Sequence, residues 1–185
     1  MFAFKCIKQG LVSLLLVLAV TNVSQAQVFA YPEDTRPSSL LPFFADDMSA
    51  VRMVELVFDG LVFKNKRGDF QGALAKEWAV DPDNRGILFT LRDGVKWHDG
   101  RPFTADDVAF TVEAAKNPKT IFTGSGKFNF IKEVKAEGRN RVYFTFRRPL
   151  TDPQSRFVFK IIPKHKFSGT AINRRDAFSR KPIGT

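Results

Sequence analysis

The amino-acid sequence predicts a mixed α/β fold, and three patterns support that prediction. Apolar side chains recur at helical spacing through residues 47–58 and again through residues 104–116. Large apolar residues alternate with other residues through residues 142–146, which is typical of a half-buried β-strand. Short apolar runs at residues 87–91 and 157–162 predict further strands.

The first residues have the pattern of an exported protein. Lys5 and Lys8 form a basic start, and an apolar run follows at residues 11–20. Ser24-Gln25-Ala26 then offers small residues where a signal peptidase cleaves. We therefore expect residues 1–26 to be a signal peptide that is cleaved after Ala26. A transmembrane anchor would need about 20 apolar residues, and this run is shorter.

The cysteine content and the charge exclude some functions. Cys6 is the one cysteine and lies before the apolar run of the signal peptide, so the mature chain offers no disulfide and no thiolate ligand. Loss of Lys5 and Lys8 removes two of the ten net positive charges and leaves +8. The basic residues from Arg139 to Lys181 are dispersed among apolar ones, so we interpret them as solvated surface charge and expect no nucleic-acid partner.

The first predicted helix starts at Asp47 and runs through Phe58. Its apolar residues include Val51 and Val54, which fall on one helical face. Asp59-Gly60 predicts the end of the helix, because glycine is favoured just beyond a helix C-terminus.

Two turns and a second helix start follow one another in the middle of the chain. Asp93-Gly94 and Asp99-Gly100 each predict a tight turn, because glycine takes positive φ without steric cost. Thr104 is a predicted N-cap, and Asp107 three residues later completes a capping box with Asp in place of the usual Glu or Gln. We expect the helix to end at Asn117-Pro118.

The sequence contains three motifs that suggest chemistry, and each has a simpler structural interpretation. His98 precedes Asp99, but adjacent residues on an extended segment point in opposite directions, so the pair is poorly arranged for general base catalysis. His98 and His165 alone do not make a metal signature. Gly124-Ser125-Gly126-Lys127 resembles a phosphate-binding loop, but the next residue is Phe128 rather than Ser or Thr. We predict no catalytic residue, no metal site and no cofactor.

Asp46 and Asp47 precede the first helix and leave two interpretations open. One of the two carboxylates can cap the helix, or the pair can contact a ligand. Because Asp46 and Asp47 are adjacent in the sequence, we do not expect their carboxylates to converge on one substrate atom for acid–base chemistry.

Several ordered motifs resemble the family 5 extracellular solute-binding proteins, the dipeptide-, oligopeptide- and nickel-binding receptors of ABC importers. The resemblance covers essentially all of the mature chain. The motifs that carry it are Val57-Phe58-Asp59-Gly60-Leu61-Val62, Ala73-Leu74-Ala75-Lys76-Glu77-Trp78, the run from Phe89 to Gly100, the run from Pro102 to Val108, Pro163-Lys164-His165-Lys166-Phe167 and Pro182-Ile183-Gly184-Thr185.

The resemblance implies a periplasmic binding protein-like fold of type II, of the class with an extra domain. Two lobes enclose the solute in this family, and residues 27–185 would be the amino-terminal part, with portions of the first lobe and its extra domain but without the second lobe. It also implies a periplasmic, monomeric protein that is not an enzyme. Its partners would be a small solute, most simply a peptide, and an importer permease in the membrane.

The resemblance also points to a ligand segment. Ser39-Leu40-Leu41-Pro42 takes the place of a Ser-Leu-Asp-Pro motif that precedes the cleft in peptide-binding relatives, with Leu41 departing from the Asp. We therefore expect Asp46, Asp47 and Met48 to bind solute, with a carboxylate available to an amino group. The alternatives are a truncated or non-functional receptor fragment, a basic exported protein that binds acidic surfaces, and a secreted hydrolase that uses His98.

Overall fold

The computed structural model describes residues 35–185, so the predicted signal peptide and Cys6 lie outside the described residues. The predicted mixed α/β architecture is confirmed within that range. None of the described helices is long and apolar enough to cross a membrane. The regular elements are α1 (Met48–Val57), β1 (Val62–Lys64), β2 (Phe70–Gly72), β3 (Ala75–Val80), β4 (Gly86–Leu91), α2 (Ala105–Lys116), β5 (Ile131–Glu137) and β6 (Arg141–Phe146).

The strands form two antiparallel sheets. β1 and β2 make a two-stranded hairpin, and the other four strands form a sheet in the order β3-β4-β6-β5. In the register of β4 and β6, Ile87 lies opposite Phe144 and Phe89 lies opposite Val142. The predicted alternation in β6 is confirmed, because Val142, Phe144 and Phe146 are buried on one face. β2, β3 and β5 are strands that the sequence patterns did not predict.

Helix α1 is capped as the sequence suggests, but it ends differently. The backbone N–H of Ala50 donates to Asp47 Oδ1 at 2.7 Å, so Asp47 is the N-cap. The helix ends at Val57 with Phe58 as the C-cap, one residue before the predicted end, and Gly60 does not cap it. Gly60 instead allows a close backbone approach, since a Cβ there would lie 2.9 Å from the carbonyl oxygen of Val158.

Helix α2 starts with the predicted capping box. The N–H of Thr104 donates to Asp107 Oδ2 at 2.9 Å. Gly94 and Gly100 have φ of 73° and 82°, which confirms both predicted turns. The helix ends at Lys116 with Asn117 as the C-cap, which confirms the predicted stop at Asn117-Pro118.

Residues 157–162 do not form the predicted strand, although Phe157, Ile161 and Ile162 are buried in the core. Lys160 makes one isolated antiparallel bridge with Gly60, and no continuous ladder extends from it. Ile161 N donates to Asp59 O at 3.0 Å, and Ile162 N donates to Thr111 Oγ1 at 3.1 Å. The apolar run therefore predicted burial here but did not predict strand pairing, because pairing depends on which backbone segment lies beside the run.

Phenylalanine rings connect the sheet to this irregular segment. The ring of Phe157 lies 4.6 Å from that of Phe144 and 4.8 Å from that of Phe89, measured between centroids. Phe157 itself is fully buried. The chain has 20 phenylalanines among its 185 residues, and 11 of those that the structure describes are buried in the core.

Candidate functional site

The segment that precedes α1 places the predicted ligand residues at the surface. Ser39 and Leu41 are buried, and Ser39 Oγ accepts a hydrogen bond from Leu41 N at 3.1 Å. A short 3-10 helix, Pro42–Phe44, follows. Leu41 stands where the resembled motif has Asp, and its complete burial explains why an apolar residue fits this position.

Asp46 is held by two neighbours. Its carboxylate pairs with the guanidinium of Arg174, with Nη2 2.5 Å from Oδ2 and Nη1 3.3 Å from Oδ1. The hydroxyl of Ser38 donates to Oδ1 at 2.7 Å. The hydrogen bonds from Arg174 and then Ser38 lower the pKa of Asp46 to about 2, so the carboxylate is ionised at neutral pH.

Asp47 is engaged on both of its oxygens. Besides capping Ala50, it accepts the backbone N–H of Ser38 at 2.8 Å. The Ser38 hydroxyl and the N–H groups of Ala50 and Ser38 hold the pKa of Asp47 below its usual range. The capping interpretation of this residue is therefore what the structure shows. Met48, the first residue of α1, has a side chain that is 68% exposed.

An open groove lies beside this segment. We call it the aromatic groove, and its defining residues are Phe43, Phe122, Phe128, Phe159, Lys127 and Arg156. Its cavity volume is about 340 Å³, within the usual range for small-molecule sites. The rings of Phe43 and Phe122 stack at 4.9 Å, and those of Phe128 and Phe159 also lie 4.9 Å apart.

A second cavity adjoins the aromatic groove, since Phe122 and Thr123 line both. It has a volume of about 520 Å³, and Phe44 and Arg174 also line it. The guanidinium of Arg174 lies 5.7 Å from the centre of the Phe44 ring, a cation–π contact. Arg174, the partner of Asp46, therefore lines a recessed surface that shares Phe122 and Thr123 with the aromatic groove.

The two histidines are placed apart from this surface, and each has a structural partner. His98 exchanges two hydrogen bonds with Gly184, one through its backbone N–H at 2.9 Å and one through Nδ1 at 3.2 Å. Asp99 does not orient His98. It instead contacts His165 Nε2 at 2.8 Å and Lys166 Nζ at 2.9 Å.

Two neighbouring basic side chains determine the direction of the pKa shift of Asp99. The ammonium group of Lys166 and then the ring of His165 hold the pKa of Asp99 well below its usual range. Within residues 35–185, no three His, Cys, Asp or Glu side chains come together in a way that could hold a metal ion.

The sequence patterns did not predict the groove, although they drew attention to Lys127 and Phe128 within a motif that resembles a phosphate-binding loop. Gly124, with φ of 102°, starts a tight turn into the 3-10 helix Ser125–Phe128, and that turn places Lys127 on the rim. Arg156 comes from a different part of the chain and lies over the ring of Phe130 at 5.5 Å. The excess of phenylalanine was the other available signal, and it does not separate groove rings from core rings.

Comparisons with known proteins agree with this architecture. The sequence profile of the bacterial extracellular solute-binding proteins, family 5 Middle, matches residues 69–185. The dipeptide-binding protein of Escherichia coli K12 is 30% identical over 96% of this chain and 38% of its own length. The probable deoxycholate-binding periplasmic protein YgiS of the same bacterium is 35% identical over 60% of this chain and 21% of its own length.

Solved structures show the same fold. NikZ from Campylobacter jejuni, in complex with Ni(L-His), matches with a TM-score of 0.71 and 30% identity, over 82% of this chain and 30% of its own. These likenesses confirm the predicted periplasmic binding protein-like fold of type II for the part that the chain covers. The chain spans between about a fifth and two fifths of the length of these relatives.

Proposed function

Because the chain belongs to the family 5 bacterial extracellular solute-binding proteins, we propose that it is the solute-binding component of an ABC importer and that its solute is a peptide. The observation that carries this proposal is the match to a dipeptide-binding protein over 96% of the chain. The recessed surface beside Asp46 supports it, because solute sites are concave and mostly apolar with a few polar groups.

In this proposal Asp46, Asp47 and Met48 form part of the solute site. The amino group of a peptide exchanges with Arg174 for the carboxylate of Asp46, which is ionised and exposed. Asp47 fixes the segment by capping α1, and its negative charge adds to the attraction. The exposed thioether of Met48 is flexible and suits variable apolar side chains.

The remaining parts of the proposal follow from the sequence pattern and the family. The protein is exported to the periplasm, loses residues 1–26, and works as a monomer with a membrane permease. Residues 27–185 contribute parts of the first lobe and its extra domain. The protein performs no covalent step, because lobe closure, hydrogen bonds and burial of the solute are sufficient for capture.

Calorimetric titration of the full-length protein with a tripeptide and with its N-acetylated form tests this assignment. We expect Asp46→Asn to weaken binding of the free peptide about tenfold, because a hydrogen bond to a charged group is lost. Binding of the acetylated peptide should not change. Glu133→Gln, an exposed carboxylate on β5, is the matched control. Unchanged affinity of Asp46→Asn for the free peptide would remove this segment from the site, and no peptide binding at all would refute the peptide assignment.

A further inference from the structure

We propose that the aromatic groove holds an apolar group that carries a carboxylate, and that this group is part of the imported solute. The inference rests on the proposed role in solute capture and adds the chemical class that one part of the site selects. An apolar wall, an excess of positive charge and the engagement of the nearby carboxylates support it independently.

The apolar wall has two half-buried rings, Phe122 and Phe159, which pack against the buried rings of Phe43 and Phe128. Phe43, Phe122 and Phe128 contact one another, with centroid distances from 4.9 to 6.4 Å. Val158, at the rim, remains 44% exposed. An apolar solute group that enters the groove covers surface that water now contacts, which is favourable in proportion to the area buried.

The charge of the groove is positive. Lys127, Arg156 and Lys160 line it together with one carboxylate, Glu55, so three cations face one anion and two formal positive charges remain. Lys160 Nζ lies 2.7 Å from Glu55 Oε2, so these two charges balance each other.

Lys127 and Arg156 therefore supply the net charge. Neither forms an ion pair with any of residues 35–185 that the structure describes, and both side chains are exposed. The cation–π contact with Phe130 orients the guanidinium of Arg156. A guanidinium matches the two oxygens of a carboxylate, and the ammonium of Lys127 adds a second attractive charge.

The carboxylates beside the groove do not cancel the preference of the groove for an anion, because other groups already bind them. Arg174 and Ser38 already bind Asp46, while Ala50 and Ser38 bind Asp47. A solute cation at these positions has to displace an existing partner. A solute anion in the groove can pair with Lys127 and Arg156 without displacing another carboxylate. The Asp46 segment and the groove together therefore suit a molecule with an amino group at one end and an apolar group that carries a carboxylate at the other.

The test is calorimetry on the full-length protein with three probes: the tripeptide Leu-Leu-Phe with a free carboxylate, the same peptide as its C-terminal amide, and decanoate. We expect the free peptide to bind about fivefold more tightly than the amide. The double variant Lys127→Gln, Arg156→Gln should reduce that ratio to about one without changing the affinity for the amide. Lys135→Gln, an exposed cation on β5, should leave the ratio unchanged.

Each outcome decides between the claims. Equal binding of the acid and the amide by the wild type overturns the carboxylate inference and leaves the peptide assignment intact. Binding of decanoate alone, with loss in the double variant, supports the inference with a free apolar acid as solute and refutes the peptide assignment. Binding of none of the three probes refutes both. An unchanged ratio in the double variant shows that the carboxylate contacts other residues and overturns the assignment of the groove.

Discussion

Asp107 is the residue whose loss should damage the described domain most specifically. It is almost completely buried and accepts hydrogen bonds from three residues, Trp97, Thr104 and Lys164, which lie in different segments of the chain. Its Oδ2 accepts from Thr104 N at 2.9 Å and from Trp97 Nε1 at 3.3 Å, and its Oδ1 accepts from Lys164 N at 2.9 Å. One carboxylate therefore joins the turn before α2, the start of α2 and the segment that follows the core strands.

The expected loss of stability follows from the hydrogen-bond acceptor that each donor loses. Asp107→Ala leaves three N–H donors without an acceptor, and the indole of Trp97 is only 2% exposed. A buried donor without a partner costs about 1–3 kcal/mol, so we expect a total loss of about 3–5 kcal/mol in the free energy of unfolding. Asp107→Asn should cost about 2–3 kcal/mol, because its NH2 group turns one acceptor into a donor that faces other donors.

Urea unfolding followed by tryptophan fluorescence measures these losses. Asp106→Ala is the matched control, since Asp106 lies in the same helical turn but is exposed, with its carboxylate 4.0 Å from Lys164 Nζ. Its removal should cost no more than about 1 kcal/mol, from the helix dipole and a surface ion pair. If Asp107→Ala unfolded within about 0.5 kcal/mol of the Asp106→Ala variant, the three hydrogen bonds would not be stabilising the fold in this way.

Three further perturbations test the packing and the electrostatics. Phe157→Ala should lose about 3–5 kcal/mol in urea unfolding, because the ring is fully buried among other rings, and a loss below about 1 kcal/mol would contradict this packing. Gly184→Ala should lower the melting temperature by several degrees, since its Cβ would lie 1.6 Å from Val57 O, whereas Gly169→Ala meets nothing within 4 Å and should melt like the wild type. The ion pairs of Asp99 lower its pKa in the folded state, so they stabilise the fold above about pH 4 and are lost as the pH falls through the folded-state pKa. Asp99→Asn should therefore show a smaller drop in melting temperature between about pH 5 and about pH 2 than the wild type, and equal drops would refute the argument.

The sequence determined those features that depend on neighbours along the chain. The cap of α1 joins Asp47 to Ala50, and the capping box of α2 joins Thr104 to Asp107, in each case over three residues. The glycine turn at Gly94 and the alternation in β6 have the same local origin. Hydrogen bonds and φ preferences of this kind act within one turn, so the residue pattern predicted the capping box, the turn and the alternation, and offered capping as one of two interpretations of Asp46 and Asp47.

Family membership was also predictable from the sequence, because ordered motifs along the chain carry it. The same resemblance predicts a candidate solute segment, but it does not predict which side chains contact that segment. The partner of Asp46 is Arg174, 128 residues away, and no periodicity links the two. The prediction of a strand at residues 157–162 was wrong for a related reason, because an apolar run indicates burial but does not indicate which backbone segment lies beside it.

Only the tertiary structure decided the shape and the charge of the site. The groove brings Phe43, Phe122, Lys127 and Arg156 together from segments that are more than a hundred residues apart at their extremes. The role of Gly60 is likewise visible only in the folded chain, because the backbone of Val158 occupies the space that a side chain at position 60 would need. Local sequence fixes φ, caps and turns through short-range forces, whereas contacts between distant segments arise only when burial of apolar surface folds the chain upon itself.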